Sequence, residues 1–396
     1  MPPKITRVRW SASNLPWGIS FNEQTGTFTG TPDKDDVGEY DIPITIETNF
    51  GKHQQYVKLN VLEKVEWEEV SLPNGCVIKN NTPVLKITGN NWSTSFLLFC
   101  KYTNTYNTEY YRVYRIVSMP SSFSQIGGDV SVNSSTGILA NASAIYGACG
   151  TSTANDFYIA MYNYLQKIHR LNVTSGWKSI TPTYTWKDWR ACCYSSNKSA
   201  VFVFASTGTA VKVLSPGGSS PTAKNSYSTG LSDINKDCAA YRPSGSIMCI
   251  TSANSKAAKS VDGETWETVT TPDNLTWLIY NSNSGNFLAY GQNSKLFYES
   301  SDGLSWTQCT YVPVPLTTVK SVTYHPSYGY CAIGKGSDGT EQHSAHSKDG
   351  QNWSLKKITN RNISLTNVIY VGGNINSFVA SPASGGYLFQ LKGSNV

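Results

Sequence analysis

Five short segments of the sequence together supply aromatic, amide and charged side chains, which can bind ligands by stacking and hydrogen bonding. These segments are 90–92, 184–190, 235–237, 273–277 and 360–362. Aromatic and amide groups in one place suit the faces of sugar rings or the hot spots of protein interfaces. The candidate ligand-binding residues are Asn91, Trp92, Trp186, Asp188, Arg190, Lys236, Asn274 and Asn362.

The tryptophans of these segments differ in what the sequence predicts for them. Trp92 and Trp186 are the two that we expect to be exposed. Trp189 and Trp277 admit two interpretations, since each could be an exposed platform or a core residue at the start of a strand.

No residue pattern indicates a catalytic centre, a metal or a cofactor. The sequence has no Gly-x-Ser-x-Gly motif, phosphate-binding loop or dinucleotide fingerprint. His343 and His346 are close in sequence but have no cysteine or carboxylate at ligand spacing, so we expect two surface histidines. We therefore predict no catalytic residue, no metal site and no cofactor.

A strand ending in an aromatic residue, followed by a polar turn and a second apolar strand, occurs seven times. The aromatics are Phe99, Tyr146, Tyr194, Tyr241, Tyr280, Tyr324 and Tyr370, separated by 47, 48, 47, 39, 44 and 46 residues. This period is typical of a β-propeller, whose blades are four-stranded sheets. The loops that lead into the innermost strands gather at one mouth of a propeller, and the candidate ligand-binding segments are such loops.

The later blades carry a second repeat, Ser-x-Asp-Gly-x-x-Trp, in three copies. The carboxylate can accept backbone N–H groups of a hairpin turn, the glycine can take the left-handed conformation, and the tryptophan can pack on the neighbouring sheet. We therefore predict structural roles for Asp262, Gly263, Trp266, Asp302, Gly303, Trp306, Asp349, Gly350 and Trp353. The repeat resembles the Asp box of sialidase-type propellers.

That resemblance makes sialidase-like glycoside hydrolysis an alternative function. The chemistry needs three arginines around a carboxylate, a tyrosine nucleophile paired with a glutamate, and an acidic proton donor. Residues 114–117, Tyr-Arg-Ile-Val, are similar to the family's Phe/Tyr-Arg-Ile-Pro motif, but Val117 replaces the proline and the motif does not open the first blade. The arginines also lack suitably arranged acidic neighbours, so we favour a protein that is not an enzyme.

The last predicted blade has only three strands before the chain ends. The segment around Trp67 shares Trp, Glu, Val and Pro at matching offsets with the segment that begins at Trp266. We therefore predict that the strand at Trp67 completes the last blade and closes a seven-bladed ring, which removes the open sheet edge.

The N-terminal residues form a different kind of unit. Leu-Pro-x-Gly-Ile-Ser-Phe-Asn at 15–22, Thr-Gly-x-x-x-Gly-Thr-Pro at 25–32 and Gly-x-Tyr at 38–40 read as short strands between turns. This pattern resembles the putative-Ig (cadherin-like) family of bacterial and phage surface proteins, which implies an adhesive or spacer module. The predicted fold is all-β, with an Ig-like β-sandwich at 1–62 and a seven-bladed Asp-box propeller at 63–396.

Composition and charge limit the partners and the cellular location that we expect for the protein. The net charge of +6 is spread without any Lys/Arg run, which argues against a nucleic-acid partner. The chain starts without a signal-peptide pattern and has no apolar stretch of the roughly 18 residues that a membrane helix needs, so we expect cytoplasmic synthesis and no membrane insertion. Nine cysteines without a Cys-x-x-Cys motif are expected to be free thiols.

The two resemblances together imply a non-enzymatic surface protein of a bacteriophage virion, a decoration or fibre protein of the head or tail. Its expected partners are other virion proteins of the capsid, neck or tail, and a host surface glycan or receptor to which it attaches. The alternatives are the sialidase-like hydrolase and a propeller that acts as an assembly factor. All three are inferences from fold type, because one fold can carry many functions.

Overall fold

The protein is built almost entirely of β-strands. The computed structural model describes residues 8–32, 38–61, 66–73, 75–78, 84–88, 96–119, 122–131, 142–151, 156–163, 166–182 and 188–392. Within these ranges the only helical segment is a three-residue 3-10 turn, Ser244–Ser246. None of the described segments is a helix long and apolar enough to cross a bilayer. The prediction of an all-β fold is confirmed.

The chain divides into two compact units, Met1–Glu66 with Lys392–Val396 and Trp67–Leu391. The described strands of the first unit are β1 (Val8–Ala12), β2 (Ile19–Asn22), β3 (Thr27–Gly30), β4 (Gly38–Thr48) and β5 (Gly51–Val61). They form a three-stranded sheet in the order β1-β4-β5 and the β2-β3 hairpin. Ile42 and Pro43 are the buried residues of β4, and Phe21 and Phe28 pair across the hairpin with ring centroids 5.0 Å apart.

The second unit begins with β6 (Glu66–Ser71), which pairs with the last strand of the unit, and the chain then forms a nine-stranded sheet. The strands of this sheet are β7 (Cys76–Val77), β8 (Val84–Thr88), β9 (Phe96–Thr103), β10 (Glu109–Ser118), β11 (Ser122–Ser131), β12 (Ala142–Gly150), β13 (Asp156–Asn163), β14 (Ile168–Asn172) and β15 (Gly176–Ile180). The sheet consists of two antiparallel four-stranded runs, β11-β10-β9-β8 and β12-β13-β14-β15, joined by a short parallel pairing of β8 with β12. Strand β7 pairs with β9.

Four antiparallel sheets follow, each a meander of four strands that are consecutive in the chain. The first and second of these sheets consist of β16 (Trp189–Ser195), β17 (Ala200–Ala205), β18 (Thr209–Leu214) and β19 (Thr222–Ser228), and of β20 (Ile234–Arg242), β21 (Ile247–Ser252), β22 (Lys256–Ser260) and β23 (Glu267–Thr270). The third sheet consists of β24 (Leu275–Asn281), β25 (Asn286–Gly291), β26 (Phe297–Ser300) and β27 (Thr307–Gln308). The fourth sheet consists of β28 (Thr318–His325), β29 (Gly329–Lys335), β30 (His343–Ser347) and β31 (Ser354–Lys357). The second strand of each sheet is almost wholly buried, which explains its continuous apolar sequence.

The last sheet combines both ends of the second unit. Strands β32 (Leu365–Val371), β33 (Ser377–Pro382) and β34 (Tyr387–Lys392) are joined by β6 in the order β32-β33-β34-β6. The N–H of Leu72, just after β6, donates to the carbonyl of Gly386 at 2.8 Å. The indole of Trp67 on β6 reaches the preceding sheet, where its Nε1 donates to Ser344 Oγ at 2.9 Å.

The apolar cores lie between neighbouring sheets. Each sheet of the second unit shares a buried cluster or direct side-chain contacts with the next, as Trp189 and Val203 do with Tyr158 and Ile168 of the nine-stranded sheet. The β8–β11 run and the last sheet also share a cluster, to which the segment after β6 contributes Leu72. Burial of both sheet faces therefore comes from adjacent sheets.

The seven repeated aromatics do not all occupy equivalent positions. Phe99 lies on β9, the second strand of its run, whereas the other six lie on first strands. Phe99 is therefore shifted from the position that the repeat predicted, because β8 precedes it as the first strand. The period alone did not identify which strand of the unit carries the aromatic.

Candidate functional site

The first strands of five sheets bring their starting ends to one polar cavity of about 630 Å³. We call it the inner-strand cavity, since β12, β20, β24, β28 and β32 all contribute to its lining. The chemically informative lining residues are Tyr146, Lys236, Asp237, Trp277, Tyr290, Lys295 and Lys320. Its volume lies within the roughly 300–1,000 Å³ range of small-ligand sites.

A β-bulge or register irregularity interrupts the first strands β12, β16, β20, β24, β28 and β32, and most of these irregularities present side chains at the cavity. In four sheets the register skips one residue of the first strand, namely Arg190, Thr276, Lys320 or Thr366. Strand β12 has two such skips, and the second of them falls at Tyr146. In the sixth case the irregularity lies between Ile234 and Ala239 and contains Lys236 and Asp237. Bulges of this kind turn a side chain away from the regular alternation of a strand. All of these bulge residues except Arg190 line the cavity.

The ring of Tyr146 joins two cations at one side of the cavity. Lys236 Nζ lies 4.8 Å from the ring centroid and Arg190 Cζ lies 5.6 Å from it. Arg190 is held by Asp188, with Nε and Oδ2 2.7 Å apart. Burial raises the pKa of Tyr146, and the Asp188 carboxylate raises it further, so the phenol is neutral at physiological pH.

A buried carboxylate, which is not itself a lining residue, holds the turn between the lining residues Gln292 and Lys295. Asp273 accepts the backbone N–H groups of Asn274 at 2.6 Å, Asn293 at 3.1 Å and Ser294 at 2.8 Å. Burial alone would raise the pKa of Asp273, but these hydrogen bonds outweigh it and lower the pKa. Nearby, the hydroxyl of Tyr290 is buried and has no hydrogen-bond partner within the described part of the protein.

The lining carries an excess of positive charge. Its charged side chains are three lysines and one aspartate. Lys295 Nζ donates to the carbonyls of Leu316 at 2.7 Å and Thr317 at 3.1 Å. Lys320 forms an ion pair with Glu341 at 3.4 Å and stays partly exposed. The cavity is therefore suited to a polar ligand with negative charge.

Comparisons with known proteins show which family the N-terminal residues match and which folds the chain resembles. Residues 2–62 match the family model described as Putative Ig domain. The chain is similar in structure to the virginiamycin B lyase of Staphylococcus aureus, with a TM-score of 0.58 and 7% identity over 83% of this chain and 99% of that chain. A streptogramin B lyase is similar with a TM-score of 0.59 and 9% identity over 83% of this chain and 98% of that chain. No curated protein matches the chain significantly.

The second unit has a β-propeller-like fold. The predicted Ig-like domain at the N-terminus is likewise confirmed by the family match. At such low identity, the likeness to the two lyases extends to the fold alone. The inner-strand cavity of the propeller-like unit therefore has to be interpreted from its own residues.

The structure brings some of the predicted ligand-binding residues together. Asp188 and Arg190 lie beside Tyr146, and Lys236 lines the cavity next to them. Asn274 lies behind the lining, where its Nδ2 donates to Gln292 Oε1 at 3.0 Å. Asn362 is exposed in the segment before β32 and does not line the cavity. The remaining candidates, Asn91, Trp92 and Trp186, fall outside the described residues.

The two ambiguous tryptophans have different environments. Trp189 is fully buried between the nine-stranded sheet and the sheet of β16, so it is a core residue. Trp277 is half-buried and lines the cavity, with its ring at 89° to that of Phe297. Only Trp277 is placed to contact a ligand.

The three Ser-x-Asp-Gly-x-x-Trp segments have closely similar geometry. In the first, Asp262 Oδ1 accepts the N–H groups of Glu264 and Thr265, both at 2.8 Å. Asp302 and Asp349 each accept two N–H groups in the same way, at 2.7–2.8 Å. The glycines that follow, Gly263, Gly303 and Gly350, have φ of 79°, 82° and 71°.

The tryptophans of these segments pack inward but not identically. Nε1 of Trp266 and of Trp306 donates to the glycine carbonyl of its own turn, at 3.3 and 3.2 Å. Trp353 donates instead to the carbonyl of Val312 at 3.2 Å. The ring of Trp266 meets Phe204 of the preceding sheet at 87°, so the turn is attached to its neighbour.

The expectation of two surface histidines is wrong for His346. Residues three apart on a strand point to opposite faces, so His343 and His346 of β30 diverge. The ring of His346 is buried between Trp67 and Phe378, with both centroids 5.9 Å away. Among the described residues, no group of three or more His, Cys, Asp or Glu side chains could hold a metal ion.

Arg190 and Lys236 are among the candidates predicted from the sequence, but the other bulge residues are not, although a signal was present. Arg190, Asp237, Thr276, Lys320 and Thr366 each stand four residues before a repeated tyrosine. Tyr146 is itself a bulge residue, so it does not correspond to the other repeated tyrosines. The register of the repeat, counted back from the tyrosine, locates the irregularities of β16, β20, β24, β28 and β32 but not the one at Tyr146.

Proposed function

We propose that this protein is a non-enzymatic surface module of a bacteriophage virion and that its propeller-like unit attaches to a host glycan or receptor. The observation that carries the proposal is the inner-strand cavity, in which bulges of several sheets present lysines, hydroxyls and an aromatic ring together. A site assembled from many sheets is rigid, which lowers the entropic cost of binding. The predicted ligand residues Arg190 and Lys236 belong to this region.

We further propose that the second unit is a ring of seven four-stranded blades closed by β6, within a domain spanning residues 63–396 after an Ig-like domain at 1–62. The two runs of the nine-stranded sheet count as two blades, the four meander sheets as four, and the last sheet with β6 as the seventh. The cluster shared by the β8–β11 run and the last sheet supports closure. A ring gathers the starts of its inner strands at one mouth.

The virion assignment rests on the pairing of an Ig-like domain with a propeller-like unit. We propose other virion proteins as partners and the particle surface as the location. The thiols fit synthesis in a reducing cytoplasm, since all nine cysteines are free and eight of them are buried.

A sialidase-like hydrolase is less favoured by the arrangement of the arginines. Arg112 pairs with Asp129 at 2.7 Å, Arg190 with Asp188 at 2.7 Å, and Arg361 with Glu69 at 3.1 Å. These residues lie in three different sheets or their connections, and each has its own partner. Three arginines can bind one substrate carboxylate only if their guanidinium groups converge on it, and these three are each paired elsewhere.

Two measurements test the proposal. Electron microscopy of purified particles should place the protein on the virion, and particles lacking it should adsorb poorly to host cells. Particles that carry the Lys236→Gln protein should also adsorb less, whereas Lys198→Gln changes an exposed lysine of the β16–β17 turn and should have no effect. Absence of the protein from particles would favour an assembly factor, and turnover of a fluorogenic sialoside that is lost in Arg115→Ala would favour a hydrolase.

A further inference from the structure

The inner-strand cavity combines a cationic rim with an aromatic wall. The cations are Lys236, Lys295 and Lys320, against the single carboxylate of Asp237. Trp277 supplies the aromatic wall. Lysine ammonium groups attract anions, whereas an aromatic ring offers a flat face to the apolar side of a sugar ring.

Two of the lysines are held close to the cavity by the bulges. Lys320 is the extra residue of the β28 bulge, and Lys236 belongs to the irregular start of β20. The Lys236 ammonium lies over the Tyr146 ring, and no carboxylate forms an ion pair with it among the described residues. Lys320 is paired with Glu341 at 3.4 Å but remains partly exposed, so it can also contact a ligand.

The lining also has unused hydrogen-bonding capacity. The Tyr290 hydroxyl is buried without a partner, and burial of an unpaired polar group costs free energy. The hydroxyls of Thr276 and Thr318 are further lining groups that can donate or accept a hydrogen bond. Several hydroxyl groups beside cations and an aromatic ring match a ligand that carries both hydroxyls and an acid group.

We infer that the inner-strand cavity binds an acidic saccharide, with the sugar carboxylate near Lys236 and Lys320 and a sugar ring against Trp277. This inference rests on the proposed attachment function and specifies its ligand class. A free metal cation is disfavoured by the excess of lysines. The cavity volume of about 630 Å³ suits a short oligosaccharide segment.

Calorimetric titration of the full chain with digalacturonic acid and with its methyl ester tests this inference. The ester retains the sugar rings but removes the charge. We expect the acid to bind at least about tenfold more tightly than the ester, because a hydrogen bond from a lysine to a carboxylate is stronger than one to a neutral ester. Binding of the acid should weaken as salt is raised, because salt screens exposed charges.

Variants locate the site. Lys236→Gln and Lys320→Gln should each weaken binding of the acid by about tenfold and leave binding of the ester within twofold. Trp277→Ala should weaken both probes. Lys198→Gln, on the exposed β16–β17 turn, is the matched control and should bind both probes like the parent protein.

Equal affinity for acid and ester would overturn the inference, as would unchanged binding in both lysine variants. Lysine-dependent binding of a peptide C-terminus without sugar binding would also overturn it and would identify a protein receptor. The proposed function is tested separately by particle adsorption. If particles need the protein for adsorption but the protein does not bind acidic saccharides, the proposed attachment function stands and only the inferred ligand class is wrong.

Discussion

At the scale of single residues, one carboxylate organises each Ser-x-Asp-Gly-x-x-Trp turn. Asp302 Oδ1 accepts the N–H groups of Leu304 at 2.8 Å and Ser305 at 2.7 Å, and Ser300 donates to the same oxygen at 3.0 Å. Burial raises the pKa of Asp302, but these hydrogen bonds outweigh it and bring the pKa to about 2. The carboxylate is therefore an ionised structural acceptor at neutral pH and not a proton donor.

Asp302→Ala should lower the free energy of unfolding by about 1–2 kcal/mol, since two backbone N–H groups lose their acceptor. Asp302→Asn retains an acceptor oxygen and should cost less. Urea unfolding of both variants at pH 7 measures the difference. Equal stability of the alanine variant and the parent protein would show that the turn holds without the carboxylate.

His346 and His169 make the stability of the protein sensitive to acid. Burial lowers the pKa of each to about 3 from the ordinary 6.5, and a lysine nearby adds to the effect, Lys356 for His346 and Lys167 for His169. Each histidine binds a proton in the unfolded chain below pH 6.5 but stays neutral in the fold. The contribution of these two neutral histidines to the free energy of unfolding is complete above pH 6.5 and is lost as the pH falls from 6.5 towards 3.

We expect the free energy of unfolding to fall by up to about 1.4 kcal/mol per pH unit for each of these histidines over that window. In His346→Gln, the slope between pH 6.5 and 4 should be smaller by about one histidine's share. Urea unfolding at several pH values measures the slope, with His53→Gln as the control at an exposed histidine. An unchanged slope in His346→Gln would contradict the buried, neutral state.

At the scale of elements, β6 links the two ends of the propeller-like unit. It pairs with β34, and its Trp67 donates to Ser344 of the preceding sheet. Leu72, immediately after it, is buried in the cluster that the β8–β11 run shares with the last sheet. Without β6, β34 would be an unpaired edge strand, which is a site for aggregation.

Leu72→Ala should therefore lower the free energy of unfolding by about 2–5 kcal/mol, the usual cost of a buried leucine truncated to alanine. Ser71→Ala, at the exposed neighbouring position, should stay within about 0.5 kcal/mol of the parent protein. Chemical unfolding of the full chain measures both. A Leu72→Ala variant as stable as the control would argue that this segment does not carry the closing contacts.

The bulges are the other element-scale feature that matters for function. A bulge adds one residue to one strand and changes the direction of its side chain. Thr276 and Lys320 are both extra residues of this kind, and both line the cavity. The same device at the start of several first strands produces a polar lining on a scaffold whose strand interiors are apolar.

At the scale of the whole molecule, the cavity exists because several sheets face one another. No single sheet contains it, since its lining comes from strands as far apart as β12 and β32. The Ig-like unit has its own sheets and its own buried residues, such as Ile42. The attachment function that we propose therefore depends on assembly of the propeller-like unit as a whole.

The amino-acid sequence determined the fold class and the nature of both units. Apolar strands at a period near 45 residues, turn motifs and the Gly/Pro pattern of residues 15–40 depend on local chemistry, so they could be interpreted without coordinates. Tertiary structure decided which side chains meet. Tyr146, Lys236 and Lys320 are far apart in the chain, and bulges leave no clear signature in hydrophobic periodicity. Tertiary structure also decided the burial of His346, because Trp67 and Phe378 pack on that face of β30 and exclude water from it.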